Sequence, residues 1–238
     1  MEWHEATEAL EPYVVRITTP SGHGTGFFLT DTTIEGTCAI ATAAHVIDHA
    51  HYWEQPIRIE HHQSGKSVLL RPQDRAIFVE ADKDIAGILF NKADLPLPTT
   101  PLELPPEDKT LKTGNEVAWL GFPALPWPNL CFFGGKISSF VNAVDGYLVD
   151  GVAINGVSGG PTIIKLGDRI TLVGVVSAYI ANRATGETLP GVSLVRNIAP
   201  FRSYMQSFTS LDEAKNKESE QPPMAPPPGA QNSAAKKG

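Results

Sequence analysis

From Val14 to about Val195 the chain is a succession of short apolar or β-branched runs, among them "YVVRITT", "GTGFFLT", "CAIATAAHVI", "VAWLGFP", "GKISSFV", "ITLVGVVSAYI" and "VSLVRNI". Gly, Pro, Asn and Asp separate these runs, and long helical patterns are few. Many short strands with punctuating turns predict an all-β barrel or sandwich. The stretch "ADLPLPTTPLELPPEDK", residues 93–109, holds five prolines and no hydrophobic period, so it reads as a linker between two β units. The expected organisation is a first β unit over about 12–92, a linker over about 93–112 and a second β unit over about 113–197. Ile198, Phe201, Tyr204, Met205 and Phe208 fall near helical spacing and predict a terminal helix over about 198–208, packed on the second unit. Residues 209–238 lack the apolar content to bury a core, and a disordered Pro-rich tail is expected there.

Hydrophobic residues make up 42% of the 238 and charged residues only 19%, which suits compact globular units. A formal charge of −7 argues against binding to a phosphate backbone, which clustered Lys and Arg drive, so nucleic acid is not an expected partner. No run of eighteen apolar residues occurs, and "MEWHEATEALEPY" lacks the basic-then-apolar pattern of a signal peptide. The expectation is a cytoplasmic protein with no membrane partner. Cys38 and Cys131 lie in different halves, so two buried free thiols are expected rather than a disulfide.

The stretch "AINGVSGGPTI", residues 153–163, sets one serine among three glycines and a proline. It reads either as a tight turn between strands or as a loop in which the N–H groups of Gly156, Val157 and Ser158 converge on one point. Such a point holds the oxyanion formed when a hydroxyl attacks a carbonyl. A serine hydroxyl is a poor nucleophile at neutral pH, so the second reading requires a base and a group to orient it. His45, in "AIATAAHVI", is the candidate base. Asp84 heads the apolar strand in "DKDIAGILF", where a buried carboxylate needs a partner such as an imidazole N–H. Asp82 is its rival. The histidines at 45, 49, 51, 61 and 62 lack the spacing and Cys or carboxylate help of a zinc site, so no metal is expected and those outside the triad are expected on solvent-facing loops.

"TAAHVI", "DIAGIL" and "GVSGGP", in that order, resemble the trypsin-like (chymotrypsin-fold) serine peptidases. "GNEVAWLGFP", "GGKISSF", "VDGVAINGVSGGP", "VGVVSAY" and "PGVSLVRNI" extend the resemblance over about residues 12–208, and it is closest to the compact bacterial HtrA-like branch, here without a PDZ domain. The resemblance implies two antiparallel six-stranded β-barrels packed face to face, a C-terminal helix, and a serine endopeptidase that needs no cofactor. It implies Ser158 as nucleophile, His45 as general base, Asp84 as orienting carboxylate and the amides of Gly156 and Ser158 as oxyanion hole. Val152 would floor the primary pocket, Tyr179 and Gly191 would wall it, and Ser177, Ala178 and Tyr179 would pair with the substrate backbone. With no acid at the floor, a small or medium apolar residue is expected on the acyl side of a cleaved protein or peptide bond. Val157 stands where zymogen-activated relatives carry an aspartate, so activation by cleavage is not expected. The alternative is a latent or inactive module of the same fold that binds peptides or awaits an activating protein partner in a bacterial signalling or defence system.

Overall fold

A computed structural model describes residues 1–29, 36–105, 110–127, 129–181 and 188–204, without the side chains of 178–181 and 188–190. The apolar runs form strands β1 (Val14–Thr19), β2 (Gly22–Leu29), β3 (Thr37–Thr42), β4 (Ile57–His61), β5 (Ser67–Leu70), β6 (Arg75–Glu80) and β7 (Ile85–Asn91) in the first half. The second half holds β8 (Glu116–Gly121), β9 (Cys131–Val141), β10 (Gly146–Asp150), β11 (Pro161–Leu166), β12 (Arg169–Ala181) and β13 (Thr188–Asn197). Strands β8 to β13 close into a six-stranded antiparallel barrel in the order β10-β13-β12-β11-β8-β9, and with the curved sheet of the first half they make the chymotrypsin-like double-barrel architecture.

The first half departs from the expected six-stranded barrel. It is a seven-stranded sheet in the order β5-β4-β1-β2-β3-β7-β6, with β5 and β6 at its edges. A 3-10 turn at Pro72–Asp74 separates those two strands, and the Arg75 guanidinium reaches across the opening. It donates to the carbonyls of Leu70, Ala50 and Gln55, tying the end of β5 to residues 50 and 55.

Two helices are not legible in the sequence as such. The run "CAIATAAHVI" ends as a strand at Thr42, and helix α2 (Ala44–Tyr52) begins two residues later. Ala44, Ile47 and Ala50 form its buried face. Near the N-terminus, α1 (Trp3–Leu10) buries Ala6 and Leu10, one turn apart, between the two halves.

Residues 199–204 are helical, and they do not cover the second barrel alone. Phe201 is fully buried in the cluster shared by both halves, the Tyr204 ring lies 4.2 Å from that of Phe78 in β6, and its hydroxyl donates to Glu80. The apolar face of this helix fills the seam between the halves. Burial and the Glu80 carboxylate together push the Tyr204 phenol up to about 12. Met205, Phe208 and residues 209–238 lie outside the described residues.

The linker stretch also makes contacts with both halves. Leu95 is buried with the first, Thr100 O accepts from Tyr13 Oη at 2.5 Å, and Glu103 pairs with Thr171 of β12. Both cysteines are free; Cys38 is buried, but Cys131, at the start of β9, is half-buried.

Candidate active site

Helix α2, the turn before β7 and the 151–160 loop converge in the cleft between the halves. His45 is the second residue of α2, and its Nδ1 lies 3.0 and 2.9 Å from the two carboxylate oxygens of Asp84. The first N–H groups of a helix have no partner within it. Here Asp84 fills that role from 39 residues away: its Oδ1 accepts the His45 N–H at 3.0 Å and its backbone carbonyl accepts the Ala44 N–H at 3.2 Å. Asp84 adopts φ 48°, ψ 45°, a left-handed conformation that aspartate tolerates better than most residues. Asp82 sits on the exposed side of the preceding turn.

One carboxylate therefore both fixes the helix and holds the imidazole. The hydrogen bond to Asp84 raises the His45 pKa above its ordinary value, outweighing the opposing effect of burial. Burial pushes the Asp84 carboxyl up, but the hydrogen bonds from His45 and Ser177, with the His45 charge, hold it below the usual aspartate value.

Ser177 has a role that the sequence does not announce. The β12–β13 register slips between Val176 and Ala178, so Ser177 is the extra residue of a bulge and has no ladder partner. Its hydroxyl donates to Asp84 Oδ2, and its carbonyl accepts the Ser158 hydroxyl at 3.0 Å. Ala178 and Tyr179 pair with Leu194 and Ser193 through the backbone, while their side chains lie outside those described.

The serine turn is held by its carbonyls. Asn155 O accepts from Ala124 N at 2.7 Å and Val157 O from Gly160 N at 3.0 Å. In a trans peptide the N–H points opposite the C=O, so these two bonds aim the N–H groups of Gly156 and Ser158 the other way. Neither N–H has a hydrogen-bond acceptor among the described residues. The Val157 N–H does not join them, contrary to the three-amide expectation. It closes the turn on Ile154 O at 3.0 Å, and the Val157 side chain is fully buried. Gly156 has φ 91°, and a side chain there would collide with Phe122 O; Gly159 has φ 86° and lies against Thr25 O.

A cavity of about 220 Å³ opens beside Ser158, lined also by Ser21, His23, His45, Asn155 and Gly156. No local sequence motif marks His23 or Asn155. Burial, reinforced by the Arg16 charge, pushes the His23 imidazole down. Val152 is 48% exposed, and Gly191, φ 80°, accepts the N–H of its neighbour Gly151 at 2.8 Å.

The remaining histidines are dispersed. His49 and His51 lie on α2 rather than a loop, and His62 packs against the Phe122 ring. His61 corrects the solvent-facing expectation: it follows Ile57 and Ile59 on the inward face of β4 and is 2% exposed. Its Nε2 donates to Pro12 O, leaving Nδ1 to accept from Ser64. Among the described residues no three His, Cys, Asp or Glu side chains are grouped to hold a metal, and no helix is long and apolar enough to cross a membrane.

Residues 24–175 match the family model of the trypsin-like peptidase domain. No curated protein matches the sequence. Among solved structures, the chain is similar to the inactive form of the Rv3671c protease of M. tuberculosis, with 20% identity, a TM-score of 0.59 and coverage of 86% of this chain and 90% of that one in its mutant form. It is similar to the serine endoprotease of Yersinia pestis at 20% identity and a TM-score of 0.63, covering 87% of this chain and 66% of that one. Deg5 shares 19% identity with a TM-score of 0.61, covering 85% of this chain and 93% of its own.

Proposed function

The chain belongs to the trypsin-like peptidase domain family, and from that premise we propose that this serine endopeptidase cleaves peptide bonds through Ser158, His45 and Asp84. The observation that carries the assignment is the convergence on one cleft of an Asp84-held imidazole, a serine hydroxyl and two N–H groups without an acceptor among the described residues. In the proposed cycle the Ser158 hydroxyl turns from Ser177 O toward His45 Nε2, gives up its proton and attacks the substrate carbonyl. The oxyanion accepts from the Gly156 and Ser158 amides. His45 then protonates the leaving amine, and water hydrolyses the acyl-enzyme with His45 again as base.

The base must be neutral, which sets the sign of the pH dependence. Because Asp84 raises the His45 pKa, the imidazolium persists to higher pH than in a free histidine. Ester hydrolysis should therefore rise with pH through a midpoint above 6.5, measured as kcat/KM across the acid limb. A profile flat from about pH 5 to 8 would contradict the role given to His45.

Val152, neutral and half-exposed, supports a preference for a small or medium apolar residue on the acyl side. In a panel of peptides differing only at that residue, Ala, Val or Leu should exceed Arg in kcat/KM by about tenfold or more. Best cleavage after Arg would overturn the preference.

One observation favours the latent reading as a second possibility: the Ser158 hydroxyl rests on Ser177 O rather than on His45. In that reading an activating protein partner turns the serine to the base, and reactivity appears only when the partner is supplied.

A further inference from the structure

Thr25, in the middle of β2, belongs to the first half of the fold, yet every polar atom it has is engaged at or beside the serine turn. Its N–H donates to Ser158 O at 2.8 Å, and its hydroxyl donates to Gly156 O at 2.8 Å. The hydroxyl oxygen accepts the Phe122 N–H at 3.0 Å, and its carbonyl accepts from Thr42 Oγ1 at 2.7 Å. The residue is fully buried.

Four successive carbonyls of the serine turn, residues 155 to 158, are thus held, and Thr25 holds two of them. The bond to Gly156 O differs from the other three because its donor is a side chain. It also restrains the peptide unit with the least intrinsic restraint: Gly156 has no Cβ to oppose rotation about its own ψ. Without that donor, Gly156 O would be buried without a partner, and rotating the 156–157 peptide would relieve it. The same rotation would break the Val157 N–H bond that closes the turn on Ile154 O and would misdirect the neighbouring amides.

We infer that the Thr25 hydroxyl is a positioning residue for the oxyanion amides, locking the 156–157 peptide from the opposite half of the molecule. This inference rests on the serine peptidase reading. It is specific to the hydroxyl: the methyl group of Thr25 takes no part, so serine should replace threonine and isosteric valine should not.

The test compares the parent, Thr25→Val and Thr25→Ser, with Ser158→Ala as blank. Inactivation by a fluorophosphonate, whose phosphonyl oxygen occupies the oxyanion position, and steady-state hydrolysis of a p-nitrophenyl ester are the readouts, with thermal unfolding to verify folding. Thr25→Val should lower both the inactivation rate and kcat by about 10- to 100-fold while KM changes less than about threefold, and Thr25→Ser should restore both to within about threefold. A loss confined to KM would overturn the inference, as would a Thr25→Val protein that reacts like the parent. Equal impairment of both variants would assign the effect to methyl packing and also overturn it. If the valine variant does not fold, the serine variant decides: parental rates support the inference and a loss of about tenfold or more overturns it. A parent unlabelled at Ser158 would instead remove the reading of a competent site, in favour of the latent one, and the inference that rests on it.

Discussion

Replacing Ser158 by alanine is expected to lower turnover by about a million-fold, leaving a residual rate above that of water. The variant removes only the hydroxyl. The turn that carries it is fixed by other bonds: Ser158 O still accepts from Thr25 N, Val157 O from Gly160 N, and Gly159 N still donates to Val176 O. The Gly156 and Ser158 amides would keep their aim, so the residual rate reports the oxyanion hole together with substrate binding. Steady-state peptide or ester hydrolysis against the uncatalysed rate measures both quantities. A variant that retained a few per cent of parental turnover would show that Ser158 is not the nucleophile.

Asp84→Asn is the second large effect, expected at about ten-thousand-fold in kcat at neutral pH. Asparagine tolerates the left-handed backbone at this position, and its amide oxygen can still accept the His45 N–H at the start of α2. The helix and the position of the ring should therefore survive. What changes is the proton on the imidazole: an amide NH₂ facing Nδ1 forces that nitrogen to accept, which puts the proton on Nε2. Nε2 then cannot take the proton of Ser158. Loss of the carboxylate also removes the main cause of the raised His45 pKa, so the acid limb of the remaining activity should move to lower pH. An Asp84→Asn protein with near-parental kcat would contradict the orienting role.

The residues proposed for chemistry are legible because each lies in a short segment whose pattern is local. Ser158 stands among glycines, and two of these, Gly156 and Gly159, take positive φ where a Cβ would strike the backbone. Asp84 heads a strand buried along nearly its whole length. What cannot be read locally depends on distant partners. The start of α2 is capped by Asp84, and nothing between Thr42 and His45 announces the change from strand to helix. Ser177 is turned into the site by a one-residue slip in register, and register is decided by the partner strand. Val157 reads as a third oxyanion donor because its place in the turn is visible in the sequence while the bond to Ile154 O is not. The Arg75 contacts are non-local in the same way: the guanidinium gathers carbonyls from β5, α2 and the segment after it, a set that exists only once the chain has folded. Thr25 is the extreme case, a β-branched residue in a strand whose bonds to the serine turn span more than half the chain.

The most direct test of the account is fluorophosphonate labelling of the purified protein beside Ser158→Ala and His45→Ala, with the modified residue located by mass spectrometry. The account predicts a single phosphonyl adduct on Ser158 that disappears in the Ser158→Ala protein and falls to background in the His45→Ala protein. Labelling at another residue, or labelling of Ser158 that proceeds equally well without the His45 imidazole, would contradict it.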